Sequence, residues 1–342
     1  MGVFNRVARP LILAAGRRDG LRRAAERLPL TRDVVHRFVP GENLADAMNS
    51  VEQLRDSRRL VSIDYLGEDV RDADGADATV EAYLHLLEAF STRSEGQAAV
   101  RPLEVSLKLS ALGQALPRDG EKIALENARA ICERAQRFGV WVTIDAEDHT
   151  TTDSTLSIVR ELRADFGWVG TVLQAHLKRS RADCAEFAAL PVDSSRERSS
   201  APVDSSRKRS SAGARIRLCK GAYDEPASVA FRDRDDVTAS YLQCLRILMA
   251  GSGYPMVASH DPEIIDAVPA LVRENGRGVD DFEYQMLYGI RDAEQRRLAG
   301  EGNNVRIYVP FGTQWYGYFV RRLAERPANL TFFLRALAER RR

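Results

Sequence analysis

Eight short runs rich in β-branched and aliphatic residues, separated by helical stretches, constrain this chain more than any other feature. They are "LVSIDYLG" (60–67), "LEVSLKLSALG" (103–113), "VWVTIDAED" (140–148), "GTVLQAHL" (170–177), "ARIRLCKGAY" (214–223), "YPMVASHD" (254–261), "FEYQMLYG" (282–289) and "NVRIYVPFG" (304–312). Between them, "ADATVEAYLHLLEAFS" (76–91) and "EKIALENARAICERAQRF" (121–138) repeat apolar residues at three and four, the spacing of one helix face. Eight alternating βα units predict an α/β protein with a closed (β/α)8 TIM-type barrel, its parallel strands joined by crossover helices. The alternative is a doubly wound open sheet, which would lack its usual fingerprint, since no G-x-G-x-x-G follows the first strand.

Residues 1–58 precede the first strand and read as an N-terminal helical arm, broken by Pro29 and by Pro40-Gly41; residues 59–342 then make the barrel. After the eighth run, "QWYGYFVRRLAER" (314–326) predicts a helix that Pro327 ends or bends, and "ANLTFFLRALAER" resumes helical periodicity. One connection stands apart. The stretch "PVDSSRERSSAPVDSSRKRSS" (191–211) is nearly the same ten residues twice, with Glu197 answered by Lys208. It interrupts the link from the fourth helix to the fifth strand, at the barrel's amino-terminal face. With two prolines and no aliphatic periodicity it has little to bury, and it reads as a duplicated flexible surface loop.

Composition narrows the partners. Lys+Arg 50 against Asp+Glu 49 leaves no global field to draw in polyanions, so nucleic acid is not an expected partner. Cys132, Cys184, Cys219 and Cys244 are scattered, without a C-x-x-C pair, and read as buried reduced thiols of a cytosolic protein. No apolar run approaches the roughly 20 residues of a membrane span. The apolar "PLILAAG" (10–16) is too short for a secretory segment.

In a barrel of this type the site lies at the carboxyl ends of the strands. Lys108, Asp145, Glu147, Gln174, Arg217, Lys220 and His260 all fall there. A charge inside an aliphatic strand is costly unless it is paired or touches a ligand. Asp145, Glu147, Asp148 and His149 crowd one strand end, but neighbouring residues alternate sides and no second His or Cys sits at ligand spacing, so no metal is expected. Tyr318, Arg321, Arg322 and Glu325 fall at i, i+3, i+4 and i+7 of the last helix. Two guanidinium forks and an aromatic lip suit a small carboxylate, the plainer alternative being a solvated surface pair. In "RIRLCKGAYDE", Arg217 and Lys220 lead into Gly221, where backbone can approach a ligand, and Tyr223 follows; this suits a phosphate-bearing or flavin cofactor.

Taken in order, "VTIDAED", "VLQAHLKR", "RIRLCKGAYDE", "FEYQMLYG" and "RIYVPFG...YFVRRLAE" resemble the proline dehydrogenase family, in particular its monofunctional bacterial members. "RFVPGENLADAMNSVEQLRDSRRLVSIDYLGED" does so too, and the resemblance covers about residues 37–335. It implies a distorted (β/α)8 barrel that binds FAD at the carboxyl ends of its strands and oxidises L-proline to Δ1-pyrroline-5-carboxylate. It further implies electron transfer to a membrane quinone through a peripheral contact with the inner face of the plasma membrane. The next step, to glutamate, would fall to a separate pyrroline-5-carboxylate dehydrogenase. By the same resemblance Arg321 and Arg322, helped by Lys108, would pair with the substrate carboxylate. Tyr308, Tyr318 and Leu287 would shape the pocket, and Asp145 and Tyr223 would line the site. Gln174, Arg217, Lys220, Gly221, Ala222, Ser259, His260 and Glu325 would hold the flavin, with Arg217 nearest its N5. Two positions depart from the family pattern: Arg326 stands where Asn is expected, and Asp224 where some relatives carry an aromatic. Another flavin barrel, similar to methylenetetrahydrofolate reductase and using a nicotinamide donor, is the rival enzyme reading. A non-catalytic binding protein using Arg196 to Arg209 is the rival outside enzymes.

Overall fold

The structure is a computed structural model that describes residues 35–67, 70–91, 100–189 and 213–325. The duplicated stretch 191–211, most of the expected arm and everything after Glu325 lie outside those residues. All eight aliphatic runs contain strands: Leu60–Tyr65 (β1), Leu103–Leu107 (β2), Trp141–Ile144 (β3), Gly170–Gln174 (β4), Arg215–Cys219 (β5), Tyr254–Ala258 (β6), Glu283–Leu287 (β7) and Val305–Phe311 (β8). They close in sequence order into one parallel barrel, β8 pairing with β1 from Leu60↔Arg306 to Tyr65↔Phe311. The (β/α)8 expectation is met, and the open sheet is excluded.

The helices alternate as expected: Leu44–Asp56 (α1), Ala73–Ser91 (α2), Gly120–Arg137 (α3), Thr152–Asp165 (α4), Ser180–Ala189 (α5), Arg234–Ala250 (α6), Pro262–Glu274 (α7), Asp292–Gly300 (α8) and Trp315–Glu325 (α9). Asn43 starts α1 by accepting from the Asp46 amide at 3.0 Å, and Asp261 and Pro262 start α7 in the same capping logic. Every second residue of a strand faces the helices. Val61, Ile63, Val105 and Leu107 accordingly pack with Leu86, Leu87, Ala128 and Ile131 in the main apolar core.

The end of the chain distorts the pattern. Helix α1 packs on β1 and β8, the flank that the helix after β8 would otherwise cover. Helix α9 instead joins a second apolar cluster, where Trp315, Tyr318 and Phe319 meet Val35, Phe38, Val39 and Leu66. Gly312 makes the turn between β8 and α9 at φ 123°, a left-handed conformation that costs other residues, and a Cβ there would lie 3.2 Å from the Tyr65 ring. The turn carries α9 to the barrel mouth.

Candidate active site

Many of the residues that point inward, in the strands or just past them, are charged. Asp64, Glu104, Asp145 and Glu283 oppose Lys108, Arg215, Arg217 and Arg306, four against four, and all eight are buried. Barrels of this type are ordinarily filled by Val, Ile and Leu. Here the filling is an ion-pair network that must be balanced, because an uncompensated buried charge is very costly. Two tiers result.

At the floor, Arg306 and Glu283, both 0% exposed in their side chains, form a two-pronged pair at 2.7 and 2.9 Å. Arg215 lies over the Trp141 ring at 3.8 Å and bonds Glu104. Burial alone would raise the Glu104 carboxyl, but Arg215, Arg306 and Arg217 outweigh it and hold the group well below the usual carboxylate range.

At the mouth, Asp145 gathers four donors. Ser106 Oγ and Arg217 Nη1 reach its Oδ1 at 2.7 and 2.8 Å; Tyr308 OH and Lys108 Nζ reach Oδ2 at 2.8 and 3.3 Å. Lys108 is held more tightly by Asp64, at 2.6 Å, and also touches the Tyr308 hydroxyl at 3.1 Å. Burial raises the Asp64 carboxyl in spite of Lys108, and its Oδ1 has no hydrogen-bond partner among the described residues. Burial, then the charges of Asp145 and Asp64, push the Tyr308 hydroxyl well above its ordinary value, so it stays a donor. Cys219, at the end of β5, is pushed up to about 12, chiefly by burial, so its thiol is no nucleophile at neutral pH.

The residues singled out in the sequence thus fall into three groups. Lys108, Asp145, Arg217 and Tyr308 are in direct contact. On α9, Tyr318 and Arg322 are buried, the Arg322 guanidinium 4.8 Å from the Tyr318 ring centre, and Arg321 is half-buried. Tyr308 packs against the cluster that holds Tyr318, which joins the first group to the second. The third group lines the ends of β4 to β7. Gln174 donates to the Glu147 carbonyl at 2.7 Å, Lys220 pairs with Asp261 at 2.7 Å, and the Ser259 hydroxyl accepts from the Asp261 amide at 3.1 Å. His260 Nε2 accepts from the Leu287 amide at 2.9 Å. Gly221, Ala222 and Tyr223 are half-buried in the loop after β5. Glu325 ends α9 with its side chain outside the described part.

The acidic cluster just past β3 disperses. Glu147 turns away from Asp145 to bond the Ser110 amide and hydroxyl at 3.0 and 2.5 Å. Asp148 caps the short helix that follows, and His149 pairs with the buried Glu225. Sequence reasoning missed Asp64, Glu104, Glu225 and Gln285. For three of them a signal was there: in "SIDY", "LEVSLK" and "FEYQML" polar residues alternate with aliphatic ones at a period of two, which marks a polar inner wall.

Comparison with known proteins identifies the family. A sequence model of the family described as proline dehydrogenase matches residues 47–335. The chain belongs to the proline dehydrogenase family. Among its relatives, the proline dehydrogenase of Deinococcus radiodurans is 38% identical over 307 residues, covering 89% of this chain and 90% of that one. Proline dehydrogenase 1 of Bacillus subtilis is 36% identical over 310 residues, covering 91% and 92%. Of solved structures, proline utilization A from Bdellovibrio bacteriovorus superposes with a TM-score of 0.73 at 23% identity, over 86% of this chain. The match spans 33% of that longer chain and speaks for the fold alone. Membership makes the protein an oxidoreductase, and proline oxidation is the activity the family is named for. The nicotinamide-linked barrel and the non-catalytic binding protein fall away.

Proposed function

We propose that this proline dehydrogenase family member oxidises L-proline to Δ1-pyrroline-5-carboxylate with bound FAD and passes the electrons to a membrane quinone. The observation that carries the reading is the double attachment of Tyr308. Its ring packs against the α9 cluster of Tyr318, and its hydroxyl bonds Asp145 and Lys108. A small amino acid held between these parts has guanidinium groups for its carboxylate and polar groups for its nitrogen. The buried Asp64 Oδ1 is an acceptor that a bound donor satisfies.

The residues at the mouth fit a flavin. Gly221 has φ 103° and presses so closely on His176 that a Cβ would come within 2.5 Å of the ring, so the loop offers bare backbone at that point. Lys220, Ser259, His260 and Gln174 add a cation and polar groups from β4 to β6, and these, with Gly221, Ala222, Arg217 and Glu325, are the residues we assign to FAD. When bound, FAD would supply the sink for the two electrons that leave a carbon–hydrogen bond beside the ring nitrogen as the carbon–nitrogen double bond forms. The protein's part is to hold the ring still. Arg321 and Arg322, helped by Lys108, fix the carboxylate, Tyr318 and Leu287 close over the ring, and Asp145 and Tyr308 face the nitrogen. Orientation of this kind needs no nucleophile.

Family membership supports the rest of the reading, in which quinone is met by peripheral contact at the cytoplasmic face of the membrane and a separate pyrroline-5-carboxylate dehydrogenase takes the product. Among the described residues no helix is long and apolar enough to cross a membrane. The test is anaerobic titration of the purified flavoprotein with L-proline and then with NADH. Bleaching by proline is the expected result; bleaching by NADH alone would overturn the reading.

A further inference from the structure

Arg217 is held more completely than any contact with a ligand requires. Its five N–H groups each meet an acceptor: Nε meets Gln285 at 2.5 Å, Nη1 meets Ser106 and Asp145, and Nη2 meets Ser62 at 3.2 Å and Glu104 at 2.6 Å. Only two of these partners are charged, and they lie on opposite sides. Asp145 belongs to the mouth. Glu104 belongs to the floor, where its second oxygen accepts from Arg215 and, at 2.9 Å, from Thr143. Glu104 is therefore the one carboxylate among the eight interior charges that bridges floor and mouth. It shares in the neutralisation of Arg217 and leaves Asp145 free to hold Lys108 and Tyr308.

We propose that Glu104 is a positioning residue: it fixes Arg217 beneath the mouth and, with Arg215 as its counterweight, sets how readily a flavin bound there is reduced. The inference rests on the proposed flavin site. Two-electron reduction adds negative charge to the isoalloxazine ring, and fixed charges near it tune that step. Buried 0% exposed between strands, Glu104 is poorly screened by solvent. Its removal leaves four interior cations against three carboxylates, which favours the reduced flavin. Removal of Arg215 leaves three cations against four carboxylates, which opposes it.

The test measures the flavin midpoint potential, against a redox dye and without proline, in the purified holoenzyme and in Glu104→Gln, Arg215→Met and the double variant. Glu104→Gln is expected to raise the reduced-to-oxidised ratio at fixed potential at least tenfold, about 30 mV for a two-electron couple. Arg215→Met, which keeps a long side chain against Trp141, is expected to lower it, and the double variant to return near the wild type. Should Glu104→Gln fail to fold, Arg215→Met still decides the matter by the direction of its shift. Unchanged potentials in folded, flavin-loaded variants, or two shifts of the same sign, would overturn the proposal. A wild-type flavin that proline does not reduce would sink the proposed function and leave the potentials to judge Glu104. Protein that never binds flavin would overturn both.

Discussion

Replacing Glu283 with Gln keeps the shape of the side chain and removes one charge from the barrel floor. Arg306 then keeps its charge, 0% exposed, and faces only neutral acceptors there, the new amide oxygen and the carbonyls of Val61, Arg101 and Pro102. Breaking one side of a buried pair costs about 3–5 kcal/mol. Unfolding entropy of about 2.1 cal/mol/K per residue over 342 residues gives roughly 0.7 kcal/mol/K. The two figures together place the fall in Tm at about 4–7 °C. Scanning calorimetry at pH 7 measures it, with flavin content checked in parallel. A change below about 1 °C would refute the claim that these interior charges balance one another, since water or a repacked Arg306 would then be absorbing the loss. Loss of flavin with Tm unchanged would refute it differently, by making Glu283 part of the site.

Other expectations follow from single residues. Arg322→Met should raise KM for proline by tenfold or more while flavin stays bound, because a charged hydrogen bond to the ground-state carboxylate is worth about 1.5–3 kcal/mol; steady-state kinetics would show it. Gly221→Ala should yield folded protein that has lost most of its flavin, since the added methyl meets the His176 ring at 2.5 Å on a backbone of φ 103°; the ratio of visible to ultraviolet absorbance reads this directly. The folded-state pKa of Glu104 is depressed, so its contribution to stability is present above the unfolded value of about 4.3 and is lost as pH falls toward the folded one. The gap in Tm between wild type and Glu104→Gln should hold from pH 7 to about 5 and narrow below about 4. A gap that widened on acidification would contradict the sign.

The barrel was legible because eight aliphatic runs carry their own period, whatever their surroundings. Their ends were less so: "RIRLCKGAY" reads as one run, yet β5 stops at Cys219 because the left-handed Gly221 turns the chain out over the mouth. Lys108, Asp145 and Arg217, read from the strand ends, and Tyr308, added by resemblance, do come together. What linear reading left out was the depth of the charge. Glu104 and Glu283 look like isolated acids in aliphatic strands, and only closure of the barrel brings Glu104 of β2 across to Arg215 and Arg217 of β5. The place of α9 was legible in part. The helical period of 314–326 says that a helix forms, while the turn at Gly312 and the apolar side chains of Val35, Phe38 and Leu66 decide that it lies at the mouth.

The most direct measurement is a single turnover. Flavin-loaded protein mixed anaerobically with L-proline should lose its oxidised flavin band and release one equivalent of Δ1-pyrroline-5-carboxylate, trapped as its coloured adduct with o-aminobenzaldehyde. Flavin that stays oxidised, or that bleaches without a trapped product, would contradict the account.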